Sequence, residues 1–463
     1  VVTHNVLTSG RLPKHMGWSN EVLRDVDNAL GEGAGAYHVT SSLGCGQFAA
    51  LVAAQGYPKL NERLGGKFVS IGEKTTAACP AGQPADADDI IVHIGSRNRD
   101  CDGDGLNNWR SPGGVNIPSY IGSPNCGRFY VDASTGMTYG TGTTSPAWMY
   151  PLDGNRFAVG NDPAHLGGDV WTADATIDVL RHERDWKGML VSFGSVDKMA
   201  HMWGTDDDGP SGRGDDVHEQ AHLPFVARTA DQQVGRVLKE LEDQGLRDET
   251  LVVLTTDHAG QTARRYHGLD GPERGNFNWY YGADADETYL DTQPALGPLV
   301  DDGNLDFSYQ DGHVAAWAKD RSAAALAGTA AAMRELPDVI ASYVRQGDRY
   351  RRVGPLARMS LGELLWWKRH AQRLIDTMAG PEGPDVVGLL RDDTSYGVRG
   401  DHGGHQRAIQ RIPMVFSWPG LRSQQRLEPI RAVDVLPTTL ELMGIDPLDP
   451  GGLDGEAYRL RRR

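Results

Sequence analysis

The strongest constraint on this chain is a set of short apolar runs separated by helical patterns. The runs are Lys67–Gly72, Asp89–Gly95, Gly188–Gly194, Thr250–Thr255 and Ile412–Ser417. Each is rich in β-branched or aromatic residues and bounded by turn formers, which is how strands buried on both faces read. Between them, Ala221–Gly245 sets Leu223, Ala227, Ala230, Val234, Val237, Leu238 and Leu241 on one face and ends at a glycine. Asp174–Glu183 and Leu361–Met378 also read as helices, and Val433–Met443 reads as a turn and a short helix stopping at Gly444. This alternation predicts an α/β fold: a mostly parallel central sheet with helices on both faces.

Composition narrows the class. Of 463 residues, 39% are hydrophobic and 23% charged, which supports a sizeable core and excludes global disorder. A net charge of −16 argues against nucleic-acid binding, because phosphates would be repelled. No apolar run reaches the ~18 residues of a membrane span. The opening VVTHNVLTSG has neither the basic start nor the apolar stretch of a signal peptide. Residues 96–170 and 262–320 lack periodicity and read as loop-rich insertions in a single α/β domain. They would either wall a cleft or merely decorate the sheet. Cys45, Cys79, Cys101 and Cys126 allow two disulfides in three pairings, or stand as buried thiols. Disulfides would fit a secreted or periplasmic setting.

Three segments hold residues suited to metal chemistry. In SFGSVDKMAHMWG, Asp197 and His201 follow an apolar strand at a spacing of four, and a helical turn there would point both the same way. In LVVLTTDHAGQT, Asp257 and His258 stand at the carboxyl end of a strand, where ligands gather in open α/β sheets. In RGDHGGHQ, Asp401, His402 and His405 sit in a Gly-rich loop before a strand. Each segment alone has a bland reading: a solvent-facing pair, an N-cap beside a satisfied histidine, a surface loop. Together, Asp197, His201 and His402 supply one zinc-like site and Asp257 with His258 a second. Two cations roughly 4 Å apart would clamp both oxygens of a phosphoryl displacement.

The order Asp-x-x-x-His-x-x-Gly, strand-Thr-Asp-His, Gly-rich His402 loop and Pro-Met-Val-Phe strand resembles the alkaline phosphatase superfamily, in its nucleotide pyrophosphatase/phosphodiesterase branch. The closing VDVLPTTLELMGI is similar to that superfamily's last helix, and THNVLTSGRLPKHMGW to the segment after its nucleophile. The resemblance implies a two-zinc hydrolase of small phosphate esters or nucleotides. By it, Asp197, His201 and His402 hold one cation, Asp257 and His258 the other, and Thr3 and His4 lie beside the substrate. It also places the nucleophile, and a further ligand on an opening strand, just before Val1; Thr3 takes that role only if the register slips by three. His405 has no counterpart. Sulfatases, single-metal enzymes of the same superfamily, are the competing reading, but they carry Asp-Asn rather than Asp257-His258, and nitrogen ligands suit zinc. A third reading is an inactive binding protein on this fold.

One further signal is RDCDGDGLNNW. Asp100, Asp102, Asp104 and Asn108 match the first half of a calcium loop, with Gly105 at the turn. Ser111 stands where the closing glutamate belongs. The expectation is a weak structural calcium site, stiffened if Cys101 pairs with Cys126, against a plain acidic turn.

Overall fold

A computed structural model describes residues 2–94, 112–121, 130–132, 137–139, 167–197, 200, 216–267, 280–282, 294–397, 400–423, 430–446 and 452–461. The calcium-loop residues Asp100, Asp102, Asp104 and Asn108, the cysteines Cys101 and Cys126, and His201 lie outside them.

Three of the five apolar runs form the parallel sheet. Phe68–Gly72 lies between Ile90–Ile94 and Gly188–Ser192, parallel to both. Pro112–Val115 adds an antiparallel edge beside Ile90–Ile94. Alternation along the strands sends side chains to both faces. Val69, Ile71, Ile90 and Val92 pack against Trp171, Ala175 and Val179 of the helix Gly167–His182. Ile91 faces the opposite side, towards Phe48, Ala78 and Cys79 on the helices Cys45–Gln55 and Thr75–Gly82. A disulfide joins Cys45 to Cys79 and so ties those two helices together.

The other two runs depart from the expected parallel sheet. Val252–Thr255 and Met414–Ser417 pair with each other, antiparallel, with Thr255 opposite Met414. Their cross-strand neighbours Leu254 and Val415 are 46% and 48% exposed, so among the described residues one face of this pair stays open.

A second sheet was not foreseen. Six strands run in the order Tyr280–Gly282, Leu305–Gln310, His313–Ala318, Val386–Leu390, Val339–Gln346 and Arg349–Val353, every neighbour antiparallel. Three of these strands fall in 262–320, expected to be loop-rich, and Leu305–Gln310 and His313–Ala318 are almost wholly buried. The reason is local: Asp311-Gly312 sits between two apolar runs, and such a dipeptide closes a hairpin. The helix Ala323–Glu335 covers one face through Leu326, Ala330 and Met333. Leu361–Ile375 covers the other through Ala371 and Ile375. The mostly parallel expectation therefore holds for only part of an α/β molecule.

The expected helices are present. Asp216–Asp243 and Gly167–His182 start earlier than the sequence pattern indicates. Val435–Met443 ends at Gly444, whose φ of 75° is the left-handed stop that glycine favours. No helix among the described residues is long and apolar enough to cross a membrane.

Candidate metal centre

The strand pairings gather the site. Gly72, His93 and Ser192 stand side by side at the carboxyl rim of the parallel sheet. Beyond Ser192, the carboxylate of Asp169 accepts hydrogen bonds from the backbone N–H groups of Gly194 (3.0 Å) and Ser195 (3.2 Å). A Cβ on Gly194 would meet the Glu73 carboxyl at 2.8 Å, so a side chain there would have to displace Glu73. This bend delivers Asp197 to the rim.

Asp257 and His258 arrive by the antiparallel pair. Because Thr255 faces Met414, the residues after one strand and those before the other emerge at the same end. A second zipper, Gln261–Thr262 against Gly400–Asp401, draws the Gly-rich loop alongside. The imidazoles of His258 and His402 stack with centroids 3.7 Å apart.

Ligand atoms of Asp197, His258 and His402 lie within 4.8 Å of one another, a spacing at which they could hold one ion. His258 Nε2 stands 3.7 Å from Asp197 and 3.2 Å from Asp257, and His402 Nε2 stands 3.5 Å from Asp197. His258 thus bridges the two groups that the sequence separates. His4, on the helix Val2–Ser9, reaches Ser192 Oγ with Nε2 (3.3 Å) and Asp257 with Nδ1 (3.6 Å). Thr3, half-buried, precedes it on the same helix. The donor set of two carboxylates and two imidazoles suits a divalent cation such as zinc.

The electrostatics favour deprotonated carboxylates. Burial alone would raise Asp257, but His258 and His4 outweigh it and hold its pKa well below the usual carboxylate range. Burial would lower His258; the carboxylates of Asp257 and Asp197 overcome that and raise it. His4 is lowered to about 4, chiefly by burial, and so stays neutral.

Two residues here escaped the sequence reading. Lys74 donates from Nζ to the Asp197 carboxylate. It lies two residues beyond the strand Phe68–Gly72, so the rule that points to strand carboxyl ends would have found it. Asp311 lies behind His402, its Oδ2 3.8 Å from Nδ1. The turn it belongs to clamps the loop: Gly312 N–H donates to the His402 carbonyl (2.5 Å), Gln406 Nε2 to the Gly312 carbonyl (2.9 Å), and His313 Nδ1 contacts the Gly403 carbonyl (3.0 Å). Gly403 has φ of 83°, and a Cβ there would strike Asp311 at 2.3 Å. Burial, then the neighbouring Asp401 carboxylate, pushes Asp311 well above the usual range. His405 is buried beneath the loop and its carbonyl accepts from Trp366 Nε1 (2.7 Å), which is a packing role.

Asp311 stands on the Nδ1 side of His402, 3.8 Å away, opposite the nitrogen that faces the cluster. Such outer partners are worth ~10–100-fold in metal affinity. If the cluster holds a divalent cation, Asp311→Asn should weaken its binding by about 10-fold in a calorimetric titration. Unchanged affinity would remove Asp311 from the supporting shell.

Residues 143–274, which contain Asp197, Asp257 and His258, match the sequence model of the type I phosphodiesterase/nucleotide pyrophosphatase family. The fold is shared with solved structures. Wild-type alkaline phosphatase PafA is similar with a TM-score of 0.54 at 12% identity, over 96% of this chain and 86% of that one. A PafA variant gives 0.57 at 12%, with the same coverage of both chains. Human ectonucleotide pyrophosphatase/phosphodiesterase 5 gives 0.50 at 10%, over 99% and 86%. No curated protein sequence matches the chain.

Proposed function

We propose that this chain is a member of the alkaline phosphatase superfamily and hydrolyses small phosphate esters or nucleotides with two zinc-like cations at the shared rim. The observation that carries the reading is the convergence of Asp197, His258 and His402, with Asp257 and His4 in contact. Asp197, His201 and His402 hold one cation, Asp257 and His258 the other. Bound there, the cations would supply Lewis-acid stabilisation of phosphoryl charge and a lowered pKa for the attacking oxygen. The chain's own groups do the rest. Thr3 and His4 border the substrate on the side of Ser192. Lys74 brings a fixed ammonium to the same rim, and burial is outweighed there by Asp197, which keeps it protonated. Its role is to bind a non-bridging phosphoryl oxygen.

Two measurements test this. The full-length protein should carry about two zinc ions and turn over an aryl phosphodiester or monoester, with both lost to a chelator. One calcium and sulfate-ester turnover would instead support the sulfatase reading, and metal without turnover the binding-protein reading. Lys74→Gln should lower kcat/KM roughly 100-fold, the scale of losing one donor to a developing oxyanion, while metal content holds. A loss of metal in that variant would mean that Lys74 only balances Asp197.

The Cys45–Cys79 disulfide supports a secreted or periplasmic location. Asp100, Asp102, Asp104 and Asn108 remain the proposed calcium ligands, to be tested by melting with and without calcium.

A further inference from the structure

Charge is distributed very unevenly over this acidic protein. Its total is −16, yet residues 349–373 contain seven basic side chains and one acidic one, a local +6. Arg349, Arg351, Arg352, Arg358, Lys368, Arg369 and Arg373 are all exposed. The single acid, Glu363, is turned inward: it accepts from the backbone N–H groups of Ser360 (2.7 Å) and Asp392 (3.1 Å) and pairs with Arg391 at 3.7 Å. Asp348 and Asp376 bound the segment, and Asp376 is engaged by Tyr350 N–H and Gln372 Nε2.

Strand and helix meet along one edge, with Tyr350 and Arg352 on the strand face towards the helix and Arg349 and Arg351 alternating to the other face. The edge strand Arg349–Val353 is joined to the helix Leu361–Ile375 by Gln372 Nε2 donating to the Tyr350 carbonyl (2.7 Å), and Arg352 lies over the Trp367 ring at 5.8 Å. On the outer side of the helix, Leu361 is 72% and Leu365 58% exposed, more than any other large hydrophobic residue described. They stand one turn apart, with Lys368 and Arg369 on the next turn. Both tryptophans face inward, Trp366 bonded to the His405 carbonyl and Trp367 packed near Tyr350.

We infer that this basic, leucine-bearing face docks on an anionic phospholipid surface. Clusters of four to eight exposed Lys/Arg beside an amphipathic helix draw a protein to acidic headgroups, and aliphatic side chains then enter the boundary of the acyl region. The leucines decide between lipid and nucleic acid. Aliphatic groups gain nothing from phosphates or base edges, and the described aromatic rings on this helix are turned away from the face. Because the rest of the chain carries the acidic excess, an anionic bilayer would orient the molecule with this pole down and repel the remainder.

The test is co-sedimentation of the full-length protein with phosphatidylglycerol/phosphatidylcholine vesicles and with phosphatidylcholine alone. Binding is expected to the mixed vesicles only, falling as salt rises. Lys368→Glu with Arg369→Glu should weaken partitioning at least ~10-fold. Leu361→Ser with Leu365→Ser should weaken it several-fold at unchanged charge. Thermal melting of both variants, which alter exposed positions, verifies the fold. No sedimentation with the acidic vesicles overturns the inference. So does binding that is indifferent to the leucine pair and equalled by duplex DNA, which would make the pole a general polyanion site. The readout needs no turnover, so its failure is separate from failure of the hydrolase reading.

Discussion

Asp197→Ala should abolish metal-dependent turnover, with a loss of at least ~1,000-fold. The size follows from what the carboxylate touches. Its Oδ1 faces both His258 and His402, and its Oδ2 takes the Lys74 ammonium. Removing it cuts the converging cluster from three ligands to two, below the number that zinc sites normally use. A cation contributes several kcal/mol of transition-state stabilisation, and about 4 kcal/mol is about 1,000-fold in rate. The variant also leaves Lys74 without the carboxylate it binds. Metal analysis should fall by about one ion per chain, and Asp197→Asn should fall between variant and wild type. Full metal content and full turnover in Asp197→Ala would defeat the proposed centre.

Acid should destabilise the metal-free protein through His313 and His405, both buried and both lowered from 6.5 to about 4. Burial is the main cause, and for His405 the neighbouring His313 adds to it. The folded chain resists protonating them, whereas the unfolded chain takes up those protons near pH 6.5. Stability is therefore lost as pH falls from about 6.5 to about 4, by ~1.4 kcal/mol per unit for each group, or ~3 kcal/mol each in all. Asp169, raised to about 6 by burial, acts in the opposite sense below that pH. The comparison that isolates the histidine is wild type against His405→Gln, followed by urea midpoint between pH 7 and pH 4. The variant's curve should be flatter by ~3 kcal/mol across that range. Two superimposed curves would show that His405 does not titrate with unfolding.

Much of the site was legible because it is written in local signals. Asp257 and His258 follow an unmistakable apolar strand, and the structure keeps them at its end. Gly403 marks a left-handed turn that few other residues adopt, and it lies in the loop that carries His402. Lys74 was equally legible by the same rule, at the end of a strand already recognised. Asp311 was not, because its contact with His402 crosses between two sheets that no local pattern connects. The six-stranded sheet was missed for a related reason. Val386–Leu390 is short and interrupted by Gly388, and the stretch 262–304 before the first long strand is rich in Gly and Asp, which reads as loop.

The sequence by itself determined the main helices, the five apolar strands and the candidate ligand types, since periodicity, turn chemistry and ligand chemistry act over a few neighbours. Only the tertiary structure decided strand direction. Had Met414–Ser417 run parallel to Val252–Thr255, the loop before it would have emerged at the rim opposite Asp257. Antiparallel pairing reverses that, and His402 meets His258 at 3.7 Å. Direction is set by cross-strand hydrogen bonds and by packing on distant elements, neither of which leaves a mark in the residues of one strand.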